Sequence, residues 1–130
     1  MKHKEKTWSD IKVNDEASFD KVITEEDISK FAEISGDYNP LHIEDGVVHG
    51  MLMGALVSRL VGMDLPGRHA MLLKESLEFK KLVKAGERLK VFGKVMFKSE
   101  GTRVIELNIE INNDKSEILA SGTVHVKVLK

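Results

Sequence analysis

The hydrophobic pattern changes period near the middle of the chain. Residues 18–23, "SFDKVI", alternate apolar and polar side chains as a short strand does. A helix is predicted to follow Thr24, because Asp27 stands three positions on, the spacing at which two side chains cap each other's backbone N–H groups. Ile28, Phe31, Ala32 and Ile34 supply its apolar side, and Gly36 is placed to close it in a left-handed turn. A second helix start comes at once: Asn39 can accept from a freed amide while Pro40 takes the first helical position, where its missing N–H is no loss. From Gly50 to Met63 the apolar residues Met51, Leu52, Met53, Ala55, Leu56, Val57, Leu60, Val61 and Met63 point in nearly every direction around a helix, which predicts an element enclosed by protein. Gly50, Gly54 and Ser58 recur at every fourth position and predict a groove along one side.

Pro66 and Gly67 end that helix, and beyond them the period falls to two. Residues 70–83, 87–98, 102–112 and 117–130 read as strands, with alternation clearest over 104–111 and 118–128. The links "KAG", "SEG" and "NDKS" are short, so sequential strands run antiparallel. One apolar helix and four or five antiparallel strands are most simply satisfied as an α+β domain whose sheet curls round the helix.

Composition narrows this picture. A chain of 130 residues, 42% hydrophobic, has apolar material for one core, so residues 1–130 are expected to form a single domain, with 1–16 as a polar lead-in. Basic and acidic residues nearly cancel, 20 against 21, which argues against nucleic acid or an anionic membrane as partner. The N-terminus lacks the apolar block of a secretory signal, so a cytoplasmic setting is expected. The longest apolar run is broken by Ser58 and Arg59 and is too short to span a bilayer. There is no cysteine, which excludes disulfides and thiolate chemistry.

Candidate chemistry gathers in "SGDYNPLHIEDGVVHGM", residues 35–51, ahead of the apolar helix. Taken singly, Gly36–Asp37 and Asn39–Pro40 are ordinary turn residues, and His42 and His49 are ordinary part-buried histidines. Together they supply what one reaction type needs. A tight reversal between Asp37 and His42 would bring carboxylate and imidazole within reach of one water. The amide of Gly50, at the positive end of a helix, can hold a carbonyl oxygen that gains negative charge. The stripe Gly50, Gly54, Ser58 would let a slim ligand lie against the helix, although close packing of helix on sheet explains it equally well. Asp37, His42 and His49 are also metal-binding residue types, but no zinc spacing such as H-E-x-x-H is present, and no metal is expected. His3, His69 and His125 have no evident partners, His125 falling on a strand face. Lys74, Lys80, Lys81, Lys84 and Arg88 could approach carrier phosphates, yet a solvated charged face explains them more simply.

"SGDYNPLH" followed by "VHGMLMGALVSRLVG" resembles the MaoC-like dehydratase family, which includes the R-specific enoyl-CoA hydratases. The likeness continues through "LKESLEFKKLVKAGERLKV" and spans residues 19–128. It implies a hot-dog fold, an antiparallel sheet wrapped around one long buried central helix, and a homodimer with two helices back to back. It also implies hydration of a 2-enoyl thioester, carried by CoA or a protein carrier, to a 3-hydroxyacyl thioester, a lyase reaction without a further cofactor. By match, Asp37 and His42 form the hydratase pair and Gly50 supplies the amide for the thioester oxygen. Asn39 supports the turn, and Ser58, with His49 and Gly54, contributes to the substrate site.

The chain departs from the family in one place. Only "IEDGVV" separates His42 from His49, where relatives usually carry an overhanging segment of a few helical turns. Either the acyl pocket is more open here, or residues are missing and the chain breaks near Asp45–Gly46. The alternatives to a hydratase are a non-catalytic acyl-thioester-binding module, which the short link favours, and a thioesterase, which the absence of an acidic residue from Gly50 to Met63 disfavours.

Overall fold

The computed structural model describes residues 1–130. Its elements are β1 (Glu16–Val22), α1 (Glu25–Ser35), α2 (Pro40–Ile43), α3 (Gly50–Met63), β2 (Ala70–Phe79), β3 (Arg88–Ser99), β4 (Val104–Asn112) and β5 (Ile118–Val128). The five strands form one antiparallel sheet in the order β1-β3-β4-β5-β2, and α3 lies against its inner face. This is the hot-dog arrangement.

Strand alternation sets which side chains meet the helix. Val95, Leu107 and Val124 stand opposite one another on β3, β4 and β5 and are fully buried. The adjoining row runs Gly93, Ile109, Gly122, Leu77. Gly93 faces α3: a Cβ there would lie 2.5 Å from Leu60 Cδ2, so a side chain would force the Leu60 side chain to move. Val57, Leu60 and Val61 fill this inner side of α3, each such burial contributing roughly 1.5–3 kcal/mol.

The enclosure expected for α3 is only half present. Met51, Ala55, Ser58 and Gly62 form an exposed stripe, because a five-stranded sheet covers one side of a helix and leaves the other open. The apolar side of α1 is likewise narrower than expected. Ile28 and Ala32 are buried, but Ile34 is 86% exposed, since six residues past Ile28 the helix has turned it away.

The N-terminal segment is a docked strap, not a polar lead-in. Trp8 and Ile11 are buried, Trp8 Nε1 donates to Glu100 Oε2 at 2.8 Å, and Lys4 N donates to Met63 O at 2.7 Å, closing the C-terminal end of α3. The charges around these two residues hide them from a composition-based reading.

Both helix starts form as their spacing requires. Thr24 and Asp27 cap α1 reciprocally, Gly36 ends it at φ 79°, and Asn39 Oδ1 accepts from Leu41 N at 2.9 Å at the start of α2. The link between His42 and His49 is short and continuous. Gly46 N donates to His42 O and Val47 N to Leu41 O across the point where a break was an alternative. Val48 N to Val83 O and Ala85 N to Gly46 O then clip the link onto the connection between β2 and β3.

Candidate active site

The turn after α1 carries Asp37, which is folded back on its own chain. Asp37 Oδ1 accepts from Asn39 N at 3.1 Å, an arrangement that leaves Oδ2 free to point across the turn. His42, on α2, faces it with Nε2 3.6 Å from Asp37 Oδ2. That gap is too long for a direct hydrogen bond and suits one shared water. His42 Nδ1 lies 2.8 Å from Val47 O, and a carbonyl can only accept, so Nδ1 carries a proton and directs Nε2 toward Asp37. The imidazole is nearly covered, with its side chain 12% exposed, whereas the Asp37 side chain is 51% exposed and can exchange protons with solvent.

His49 braces this pair. It is 2% exposed, its ring stacks on His42 at 3.8 Å, and its Nε2 donates to Asp37 O at 3.0 Å. Phe31 of α1 closes its other side at 4.9 Å. One buried ring thus ties α1, the turn and α3 together, and its Nδ1 is left without a partner.

Asp37, His42 and His49 each offer a ligand atom, all within 4.8 Å of one another, a spacing that could hold a cation. The ring geometry fits that use poorly. Imidazole lone pairs lie in the ring plane, and planes inclined by only 22° run side by side where a shared ion would need them to converge.

Immediately after His49, α3 begins. Gly50 is its first residue, and neither the Gly50 nor the Met51 amide has an acceptor in the protein, so two N–H groups face outward at the positive end of the helix. An acid–base pair therefore stands beside an unused donor pair. That arrangement can activate a water on one side of a bound carbonyl while stabilising negative charge on its oxygen.

The remaining site residues divide. Asn39 caps α2 and holds Asp37 Oδ1, a supporting position. Gly54 lies on the flank of α3, where a Cβ would come within 3.0 Å of Glu75 Oε2. Ser58 is exposed two turns beyond Gly50, about 12 Å along the axis, and does not join the pair. His125, expected to have no partner, meets Glu106 across the sheet at 3.1 Å. Lys80, Lys81, Lys84 and Arg88 are engaged with Glu78, Glu117, the Asp45 carbonyl and Asp20 in exposed local contacts.

Two residues of β2 were missed. The Phe79 ring sits 3.3 Å from where a Gly50 Cβ would be, and Glu75 faces Gly54. A bulge between Leu72 and Lys74 shifts the strand's alternation by one, so the inward register of Glu75 cannot be read by counting from Ala70.

Residues 9–115 match the model of the MaoC like domain. The chain belongs to the MaoC-like domain family. Among its MaoC-like relatives is an (R)-specific enoyl-CoA hydratase from Aeromonas caviae, 29% identical over 128 positions that take in 91% of this chain and 96% of the relative. A second, from Rhodospirillum rubrum, is 37% identical over 90 residues, 62% of each chain. The solved R-hydratase of Pseudomonas aeruginosa superposes with a TM-score of 0.89 at 28% identity, over 95% of this chain and 86% of that one. The A. caviae match places 128 positions against 91% of a 130-residue chain, so about ten positions of that MaoC-like relative have no counterpart here.

Proposed function

We propose that this MaoC-like chain reversibly hydrates a 2-enoyl thioester, carried by CoA or an acyl carrier, to a 3-hydroxyacyl thioester. The observation that carries the reading is the 3.6 Å approach of His42 Nε2 to Asp37 Oδ2 beside the free Gly50 amide. The A. caviae and R. rubrum relatives, both (R)-specific enoyl-CoA hydratases, support it.

In this reading Asp37 and His42 hold one water between them. Asp37 takes a proton as the water oxygen bonds to C3, and the C2–C3 electron pair moves toward the thioester carbonyl. Negative charge then develops on the carbonyl oxygen, where the Gly50 N–H meets it. Collapse of this enolate takes a proton at C2 from the Asp37–His42 pair, so one water supplies both added groups. Nothing in these steps calls for a further cofactor. His49 acts as a positioning residue through His42.

The exposed stripe of α3 and the unpaired edge of β2 favour a second copy as covering partner, a homodimer. No helix is long and apolar enough to cross a membrane, and a cytoplasmic site of action fits the substrate class. The shortened link keeps a second reading open, an acyl-binding module without turnover.

Loss of the conjugated thioester absorbance of crotonyl-CoA tests the assignment. The wild type is expected to turn over, and Asp37→Asn and His42→Ala each to lose about 10²–10⁴-fold in kcat. Unchanged turnover in both variants defeats it. Ligand-dependent stabilisation with no conversion in the wild type establishes the binding module instead.

A further inference from the structure

The link between His42 and His49 is a ribbon with two bonded edges. Gly46 and Val48 face the connection between β2 and β3: Ala85 N donates to Gly46 O and Val48 N to Val83 O, each at 2.8 Å, with Val47 opposite Lys84 in an antiparallel bridge. Strand geometry turns the polar groups of the residue between them the other way. Val47 N donates to Leu41 O at 3.1 Å, and Val47 O accepts from His42 Nδ1 at 2.8 Å. The carbonyl that holds the proton on His42 Nδ1 is therefore placed by Val83, Lys84 and Ala85, which belong to a different part of the chain.

That connection is a firm base. The Val83 side chain is buried, Gly86 N donates to Ile23 O at 2.8 Å, and Lys84 N donates to Glu87 Oε2 at 2.6 Å. One side chain reaches from it to the link. Lys84 Nζ donates to Asp45 O at 2.9 Å, the only hydrogen bond that Nζ makes, and no backbone N–H reaches that carbonyl. Asp45 O lies on the turn that Gly46 completes at φ 68°, two residues before Val47. A short surface turn with few bonds opens locally at little cost. With the turn unheld, the Val47 carbonyl moves off Nδ1, and the imidazole loses the bond that fixes its tautomer and its aim.

We infer that Lys84 is a positioning residue for His42: its ammonium clamps the Asp45 carbonyl, and so keeps Val47 O on Nδ1 and Nε2 turned toward Asp37. This role rests on the hydration reading above, in which that Nε2 shares the reacting water. The lysine supplements two backbone bonds, so its removal loosens the aim of the ring without detaching the link. An exposed cation can also meet the phosphates of a carrier, and kinetics separate the two roles.

Wild type, Lys84→Met and Lys84→Arg are compared on crotonyl-CoA and on crotonyl-N-acetylcysteamine, which carries no phosphate. NMR shifts of the His42 ring nitrogens report the tautomer of the neutral ring, and melting curves report the fold. Lys84→Met keeps the length and loses the donor. It is expected to lower kcat by about three- to tenfold, the range of one net hydrogen bond, with KM little changed on either substrate. Its His42 should show a mixture of tautomers where the wild type shows Nδ1–H alone. Lys84→Arg keeps a donor and should recover most of the loss. Turnover and tautomer both unchanged in Lys84→Met, or a lower Tm with kcat unchanged, would make Lys84 a local surface contact and overturn the assignment. A higher KM confined to crotonyl-CoA, with kcat unchanged, overturns it in favour of a phosphate contact. A wild type that hydrates neither substrate sinks the hydration reading alone, and the tautomer of His42 in Lys84→Met then decides whether the lysine holds the ring.

Discussion

The mouth of α3 and its flank treat their polar groups in opposite ways. At the mouth, Asp37 Oδ1, His42 Nδ1 and His49 Nε2 are each spent on a backbone partner, which sets Asp37 Oδ2 and His42 Nε2 facing each other and leaves the Gly50 amide unspent one residue beyond His49. On the flank nothing is spent, and Glu75 is held in position only by its strand and the packing around it. The contrast is one of orientation: at the mouth the fold satisfies one end of each group and leaves the other unspent, and on the flank it leaves a carboxylate with no donor at all.

The sharpest way to break the mouth is to remove its donor and leave its shape. Gly50 is the first residue of α3, where proline's missing N–H costs no helical bond, and His49 at φ −58° and ψ 136° already has the backbone that a following proline demands. Gly50→Pro is therefore expected to fold and to lose about 10²–10³-fold in kcat, the size of one oxyanion donor. Gly50→Ala places the same Cβ 3.3 Å from the Phe79 ring but keeps the N–H, so it controls for crowding and should lose far less. Equal losses in the two variants would mean that the ring contact, not the donor, matters.

A middle-sized effect is expected from the support behind the mouth. Phe31 presses on His49 from α1, and α1 depends on the reciprocal cap of Thr24 and Asp27. Thr24→Ala should cost about 1 kcal/mol, read as a drop in Tm. The Asp27 carboxyl is held below its ordinary value chiefly by the Thr24 backbone N–H. The stability it adds is present above the unfolded value and is lost as pH falls through the depressed folded one.

This cap was legible because it is local: two residue types at one spacing define it, and the same is true of Gly36 and of Asn39–Pro40. The sheet was legible for a related reason, since alternation over residues 104–111 and 118–128 needs no knowledge of the partner strand. Asp37, His42 and Gly50 could be nominated from their order in the chain. What could not be read was everything set by contact across the fold. The stacking of His42 on His49 joins residues whose spacing has no periodic meaning. Trp8 is hidden among charges, and Glu75 sits beyond a bulge that only its pairing with β5 reveals. The open face of α3 was overlooked because apolar residues all round a helix say that it is covered, and not by how many chains.

The smallest predicted effect tests the flank on its own terms. Burial raises the Glu75 pKa, so its ionised form is less favourable in the folded chain than in the unfolded one. The sign follows from proton binding. Below the ordinary glutamate range the residue is protonated in both states and costs nothing. As pH rises through the unfolded value toward the raised folded one, the penalty appears, and above the folded value it is complete. Glu75→Gln removes the charge while keeping the shape, so it should raise Tm at neutral pH, and the gain should vanish under acid conditions. The side chain is only partly buried, so solvent screening keeps the shift to the order of 1 °C. Asp27 responds to acid in the opposite sense, which makes the two ends of the comparison separable in one pH series of melting curves. A Glu75→Gln variant that is less stable than wild type at neutral pH would show that the carboxylate has found a partner within the fold, and the flank would then be built like the mouth.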